Sequence, residues 1–238
     1  MFSHRFTKPF AIAASALVLA GGSYGIVSAT ASTGSGTATT ASSTSATSAQ
    51  SVPGSGGGSN ARSGPAAGGS IGKVSGVSTT GFKLVTATGQ KVTIKDTSST
   101  KYEKGTKSAS ASAVTNGKTA LVLGTTDSAT ITATQVIVEP TNSGSKTASE
   151  VVAFKQGASS TSKQVGQIPA SYKQGSGTIV SGTTANKATK AALTAYPGGI
   201  VDRVVKLSNG EYEVHTIGVS WPHHIFVNQS FKVVGAND

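Results

Sequence analysis

Ala192-Leu193-Thr194-Ala195-Tyr196-Pro197-Gly198-Gly199-Ile200-Val201-Asp202-Arg203-Val204-Val205 is the stretch on which the fold turns, because it joins an alanine-rich helical run to the first of several strand-like segments. Upstream, Asn186 is placed to cap a helix running from Lys187 to Tyr196, with Ala188, Ala191, Ala192 and Ala195 on one face. Small side chains there let the helix lie close to a sheet. Pro197 cannot continue the helical ladder and Gly198-Gly199 accepts positive φ, so the helix stops. Strands are expected over 200–207, 211–217, 223–227 and 231–234, with turns at Ser208-Asn209-Gly210 and Asn228-Gln229-Ser230. Asn209-Gly210 is the strongest short hairpin signal in the chain.

Working back from this region, 70–140 reads as short strands. Val74 to Val77, Phe82-Lys83-Leu84-Val85 and Lys91-Val92-Thr93-Ile94-Lys95 are divided by Thr79-Thr80-Gly81 and Thr88-Gly89, and Val92 and Ile94 alternate with the lysines. Ala120-Leu121-Val122-Leu123 is an uninterrupted apolar run of the kind buried on both faces. In 129–139 the apolar phase shifts between Ile131/Ala133 and Val136/Val138, which implies a bulge where a small barrel turns a corner. Five short strands in this span predict a compact antiparallel barrel or curled sheet.

The amino terminus carries Arg5 and Lys8, then an apolar run from Phe10 to Ala20, then small residues through Ser28-Ala29-Thr30-Ala31. That order is a secretory signal, cleaved after Ala29 or Ala31 or retained as a membrane anchor over residues 10–31. Either outcome places the remainder outside the membrane, as an extracellular or cell-surface protein. Residues 32–69 are almost entirely Ser, Thr, Gly and Ala with Arg62 as the only charge, and such a tract buries too little apolar area to offset its ordering entropy. It reads as a disordered tether. Residues 141–184 read as a partly ordered linker, with 155–177 able to wrap a domain surface.

Two segments resemble known families. Gly72 to Gly89, the crossing at 97–106 and Ala-Thr-Gln-Val-Ile-Val at 133–138 resemble a small β-barrel domain of unknown function found on exported bacterial proteins. Ala192 to Val205, Asn-Gly-Glu-Tyr-Glu-Val-His at 209–215 and Phe-Lys-Val-Val-Gly at 231–235 resemble the PepSY domain, over 185–238. That resemblance implies a helix packed on an antiparallel sheet, association with restraint of secreted peptidases, and no catalytic residues. Ser220-Trp221-Pro222-His223-His224 departs from the family, where a charged turn is common. The expected fold class is therefore α+β: a small antiparallel β-barrel followed by a PepSY-like helix-plus-sheet domain.

The composition closes several functional classes. With no cysteine, disulfides, thiol nucleophiles and zinc–thiolate sites are excluded. Lys and Arg number 20 against 9 acids, and removal of the first 31 residues takes away only Arg5 and Lys8, so the basic excess belongs to the mature chain. Its lysines are scattered singly without interleaved aromatics, which argues against a nucleic-acid groove and leaves either a solvated strand face or weak attraction to anionic wall polymer.

Candidate binding residues gather at the carboxy terminus: Trp221, His223, His224, Glu211, Glu213 and His215. Alternation puts Tyr212 and Val214 inward and Glu211, Glu213 and His215 outward, on a solvated face. A Glu213/His215/His224 metal site is geometrically conceivable, but strand spacing carries no ligand-specific signature, so no metal and no cofactor are expected. Paired Glu211 and Glu213 on a solvated strand lack the pocket that acid–base work needs. Ser220 near His223 has no nucleophile elbow, and Gly198-Gly199 ends a helix instead of opening a phosphate loop. Trp221 beside Pro222 is expected to be partly exposed at an edge. The functional expectation is a non-enzymatic exported binding protein whose PepSY-like domain recognises an extracellular or envelope protein such as a peptidase. The alternative is an envelope scaffold whose basic barrel holds anionic wall polymer.

Overall fold

The computed structural model describes residues 64–141, 150–157 and 162–238. The signal or anchor over 1–31, the tether as far as 63, and linker residues 142–149 and 158–161 lie outside the described residues. The first strand, β1, runs Ala66–Ser78, so the last residues assigned to the tether are already sheet. Then come β2 (Gly81–Val85), β3 (Lys91–Lys95), β4 (Lys101–Lys104), β5 (Lys107–Ala109), β6 (Thr119–Asp127) and β7 (Thr130–Val138). Short strands β8 (Val152–Ala153), β9 (Val165–Gly166) and β10 (Thr178–Ile179) precede helix α1 (Gly182–Ala195). The chain ends in β11 (Ile200–Lys206), β12 (Tyr212–Ile217), β13 (Val219–Trp221), β14 (His224–Val227) and β15 (Val233–Asn237).

Five strands close a barrel in the order β1-β2-β3-β7-β6 and back to β1. It is not purely antiparallel, as the alternation alone suggested. β3 and β4 each run parallel to β7, because the excursion through β4 and β5 gives the chain the long crossover that a parallel neighbour requires. Phe82, Leu84, Val92, Ile94 and Val122 fill the interior. Thr134 is the bulge residue of β7: pairing steps from Leu123/Gln135 to Gly124/Ala133, and its hydroxyl donates to the Leu123 carbonyl at 3.1 Å.

The run 120–123 is buried on both faces. Ala120 and Val122 point into the barrel, whereas Leu121 and Leu123 join Ile71 and Ile137 in a second core beneath α1. That helix begins at Gly182, more than a turn earlier than an Asn186 cap implies, because its packing face continues back through Ala188 to the buried Ala185. Tyr196 closes it with an N–H donated to the Ala192 carbonyl.

Strand accounts for 48% of the structure and helix for 11%, so the fold is β-rich. This overturns the expected α+β class with a PepSY helix-plus-sheet domain. The physical reason is that the carboxy-terminal strands do not form a self-contained sheet under their own helix. β11 pairs with β1 at Val201/Gly69 and Ile200/Ser70, making β11-β12-β14-β15-β9 continuous with the barrel wall. Accordingly, α1 packs against β1 and β6 as well as against β11, β12, β14 and β15. The junction is tight: a Cβ on Gly68 would fall 2.0 Å from the Val201 carbonyl oxygen, closer than any side chain tolerates. Among the described residues no helix is long and apolar enough to cross a membrane.

Candidate functional site

The carboxy-terminal sheet has two unlike faces. Toward α1 it presents Val204, Tyr212, Val214, Ile225 and Val227, and strand alternation sends Arg203, Glu213, His215, His224 and Phe226 the other way. Register then assembles the second group. Arg203 lies opposite His215, and His215 opposite His224. A bulge at Asp202 brings that carboxylate to both: Oδ1 lies 2.6 Å from His215 Nδ1, and Oδ2 accepts from Arg203 Nη1 at 3.2 Å. His224 Nδ1 lies 2.7 Å from Glu213 Oε1. Because an ionised carboxylate only accepts, each Nδ1 carries the proton of its pair. The His215 ring centroid is 5.2 Å from that of His224 and 6.1 Å from that of His223.

Alternation therefore grouped Glu213 and His215 correctly, but the face is not solvated. Arg203 is 1% exposed, Glu213 0%, His224 5% and His215 7%. The cover is the segment 162–180, which crosses the face from one sheet edge to the other. At one end Gln167 N–H donates to the Val234 carbonyl beside the β9/β15 pairing, and at the other Val180 N–H donates to the Val204 carbonyl beside β10/β11. Between them Tyr172 sets its ring edge-on to Phe226 at 4.8 Å and tilted over His224 at 5.6 Å.

The cover leaves polar atoms without partners. Arg203 Nε and Nη2 and Glu213 Oε2 are buried and make no hydrogen bond among the described residues. Burial pushes the His223 imidazole below its ordinary value, reinforced by His215 and His224 and opposed by Asp238. Tyr172 is pushed well up, first by burial and then by the Glu213 charge, with Arg203 opposing. Asp202 also lines a cleft of about 280 Å³ with Thr126, Asp127 and Ile217, which gives the cluster an aqueous side.

Chemically this is a charge-bearing core. Both inner histidines spend one nitrogen on a carboxylate, and among the described residues no three His, Asp or Glu side chains are placed to hold a metal ion. The neighbouring Thr216 hydroxyl donates to the Pro222 carbonyl. The remaining candidates sit apart. Glu211 belongs to the hairpin turn, where its Oε2 accepts from Asn209 Nδ2 at 2.7 Å. Trp221 is wholly buried instead of edge-exposed: its ring meets Tyr196 at 5.5 Å, its Nε1 donates to the Lys163 carbonyl at 2.6 Å, and Lys163 Nζ lies 4.3 Å over it.

A second assembly lies on the barrel. Lys91, Thr93 and Lys95 alternate outward from buried Val92 and Ile94, and Lys83 stands opposite Thr93 on β2. Lys73, on the outward side of β1, faces Val85. Lysines scattered in sequence thus share one convex face. Two of the barrel's acids are engaged elsewhere: Glu139 with Lys118 at 2.6 Å and Lys104 at 3.5 Å, and Glu103 accepting from Gln135 at 2.8 Å. Sequence reasoning missed Asp202, Arg203 and Tyr172. A charged pair interrupting Ile200-Val201-Asp202-Arg203-Val204-Val205 was the available signal, since a strand otherwise apolar on both faces has to bury its charges.

Comparison with protein-family models, with curated proteins and with solved structures finds no match for this chain. The PepSY resemblance therefore rests on the quoted residues alone.

Proposed function

We propose that the protein is a non-enzymatic binding protein presented outside the membrane, and that its barrel adheres to an anionic phosphodiester polymer of the cell envelope. One observation carries this reading: Lys73, Lys83, Lys91 and Lys95 converge on the outer face of β1, β2 and β3, with hydroxyl-bearing Thr93 between them. Diagonal cross-strand neighbours stand roughly 7–8 Å apart, so Lys83 flanked by Lys91 and Lys95 offers closely repeated positive charge. A flexible polyanion follows such a face by shedding counterions, without needing a pocket. The amino-terminal secretory pattern supplies the location and the Ser/Thr/Gly/Ala tract the reach.

The test is retention of the protein on immobilised glycerol-phosphate polymer at increasing salt. Four lysine–phosphate contacts predict about a 50-fold loss of affinity between 50 and 200 mM salt, from a slope of about −0.7 per contact. Lys83→Gln with Lys95→Gln should weaken retention and halve the slope while leaving the melting temperature unchanged. Salt-insensitive retention, or equal retention of the double variant, overturns the reading; stronger retention on duplex DNA than on the polymer replaces its ligand.

A further inference from the structure

The layer between the carboxy-terminal sheet and the segment 162–180 concentrates unpaired polar chemistry and uses none of the lysines of the barrel face. Among the described residues eight buried side-chain nitrogen or oxygen atoms make no hydrogen bond, and five belong here: Arg203 Nε and Nη2, Glu213 Oε2, Asn237 Oδ1 and Ser171 Oγ. Native interiors leave few such atoms, so a cluster of them marks a place where another group supplies the bonds. We propose that this layer is a binding site for a small free α-amino acid, held as its zwitterion beneath the covering segment.

The donors belong to Arg203. Its Nη1–H donates to Asp202 Oδ2 at 3.2 Å, which orients the guanidinium and leaves the Nε–Nη2 edge free. The two N–H groups of that edge run parallel and match the two oxygens of one carboxylate. Arg203 is 1% exposed, so the edge is withdrawn from water, where such a paired bond is strongest and an unmatched charge costs most.

The acceptors lie beside it. Glu213 stands opposite Val205 and Arg203 opposite His215, so Arg203 and Glu213 are diagonal neighbours on one face, about 7–8 Å apart at the backbone. They are nevertheless not paired with each other: Glu213 Oε1 meets His224 Nδ1, and Oε2 meets nothing. Asn237 of β15 is directly opposite His224, on the same face, with its Oδ1 equally unmatched. An ammonium, with three donors and no acceptor, suits such oxygens. A lone phosphate or carboxylate would satisfy the Arg203 edge but set like charge against Glu213, and a lone amine would leave the guanidinium bare. A carboxylate and an ammonium on one carbon answer both halves.

The cover sets size and access. Tyr172 lies 4.8 Å from the Phe226 ring and 5.6 Å from that of His224, and its phenol feels the charges of both Glu213 and Arg203. So close a lid fits glycine or alanine better than a bulky side chain. Regular pairing pins the segment only through β9 and β10, two residues each, and short ladders of this kind open below the global unfolding free energy. Local opening admits the ligand.

Calorimetric titration of the full chain with glycine, L-alanine and D-alanine, set against propionate and ethylamine as the two halves of the zwitterion, tests the proposal. At least one amino acid should bind saturably and about ten-fold or more tighter than either half, because each half leaves a buried charged group unmatched. The same ligand should slow backbone hydrogen exchange over 168–177. Arg203→Lys keeps a positive charge beside Asp202 but lacks the two-pronged edge, and should abolish binding; Asn237→Ala should weaken it without loss of folding. No saturable binding up to about 10 mM, affinity for propionate or ethylamine equal to that for the amino acids, or undiminished binding by the folded Arg203→Lys chain overturns the proposal. If Arg203→Lys does not fold, the comparison of amino acids with their halves on the unmodified chain still decides it.

Discussion

His224 Nδ1 lies 2.7 Å from Glu213 Oε1, and the carboxylate has no solvent exposure at all. At that depth the imidazole is the one hydrogen-bond partner Glu213 has among the described side chains, and its second oxygen has none. Removing one member of a buried pair leaves the other charged or polar and unmatched. Glu213→Ala should therefore cost about 3 kcal/mol in chemical denaturation. Glu213→Gln, which keeps an acceptor for His224, should cost clearly less, and equal losses from the two variants would show that the pairing is not what matters.

Burial, then His215 and His224, hold His223 below its ordinary pKa. The folded state thus binds this proton less readily than the unfolded chain, whose histidine titrates near about 6.5. Its contribution to stability is complete above that value and is lost as pH falls through the lower folded value. Denaturation midpoints should decline below about pH 6.5, and His223→Asn should make the decline shallower. A midpoint that climbs on acidification contradicts this sign.

The junction between barrel and carboxy-terminal sheet depends on Gly68. Its missing Cβ leaves room for the Val201 carbonyl, which is backbone and has nowhere to go. Gly68→Ala should separate β1 from β11, detected as faster amide exchange in 200–206 with the barrel interior still protected. By contrast, Leu123→Ala removes a side chain packed under α1 and should lower global stability by about 3 kcal/mol without selective opening.

Glu139 is held below the usual carboxylate range, mainly by its hydrogen bond from Lys118. The pair is exposed, so the effect on stability is small and salt-sensitive. Its sign is nonetheless defined: whatever it contributes is present above the ordinary carboxylate value and disappears as pH falls through the folded one. Lys118→Gln should return the Glu139 titration, followed by carboxyl carbon NMR, toward its ordinary position. No movement would place the cause elsewhere.

Much of the local structure was legible in residues alone. Alternation in Lys91-Val92-Thr93-Ile94-Lys95 reports the barrel wall, the apolar run 120–123 reports two buried faces, and the phase slip before Val136 reports the bulge at Thr134. These signals are short-range, since each depends on the period of one strand. The end of the helix was placed to within a residue, but its start lies more than a turn before the expected Lys187 and was hidden because Ala185 becomes part of the packing face only in the folded chain. The candidate site was half legible. Glu213, His215 and His224 were grouped on one face, but Asp202, Arg203 and Tyr172 were not joined to them, since register and the crossing of 162–180 bring those together.

The sequence by itself determined the five barrel strands and the hairpin 200–217, the stop at Pro197-Gly198, the absence of thiol chemistry and the surplus of lysine, whereas β4, β5 and the short strands β8, β9, β10 and β13 were not read from it. Tertiary structure alone decided that the carboxy-terminal strands extend the barrel through β1, that scattered lysines share a face, and that the histidine face is covered. The reason is that periodicity divides a strand into two faces without saying what packs on either. A solvated face and one sealed by a distant segment have the same alternation; only the long-range pairing of 162–180 with β11 and β15 distinguishes them.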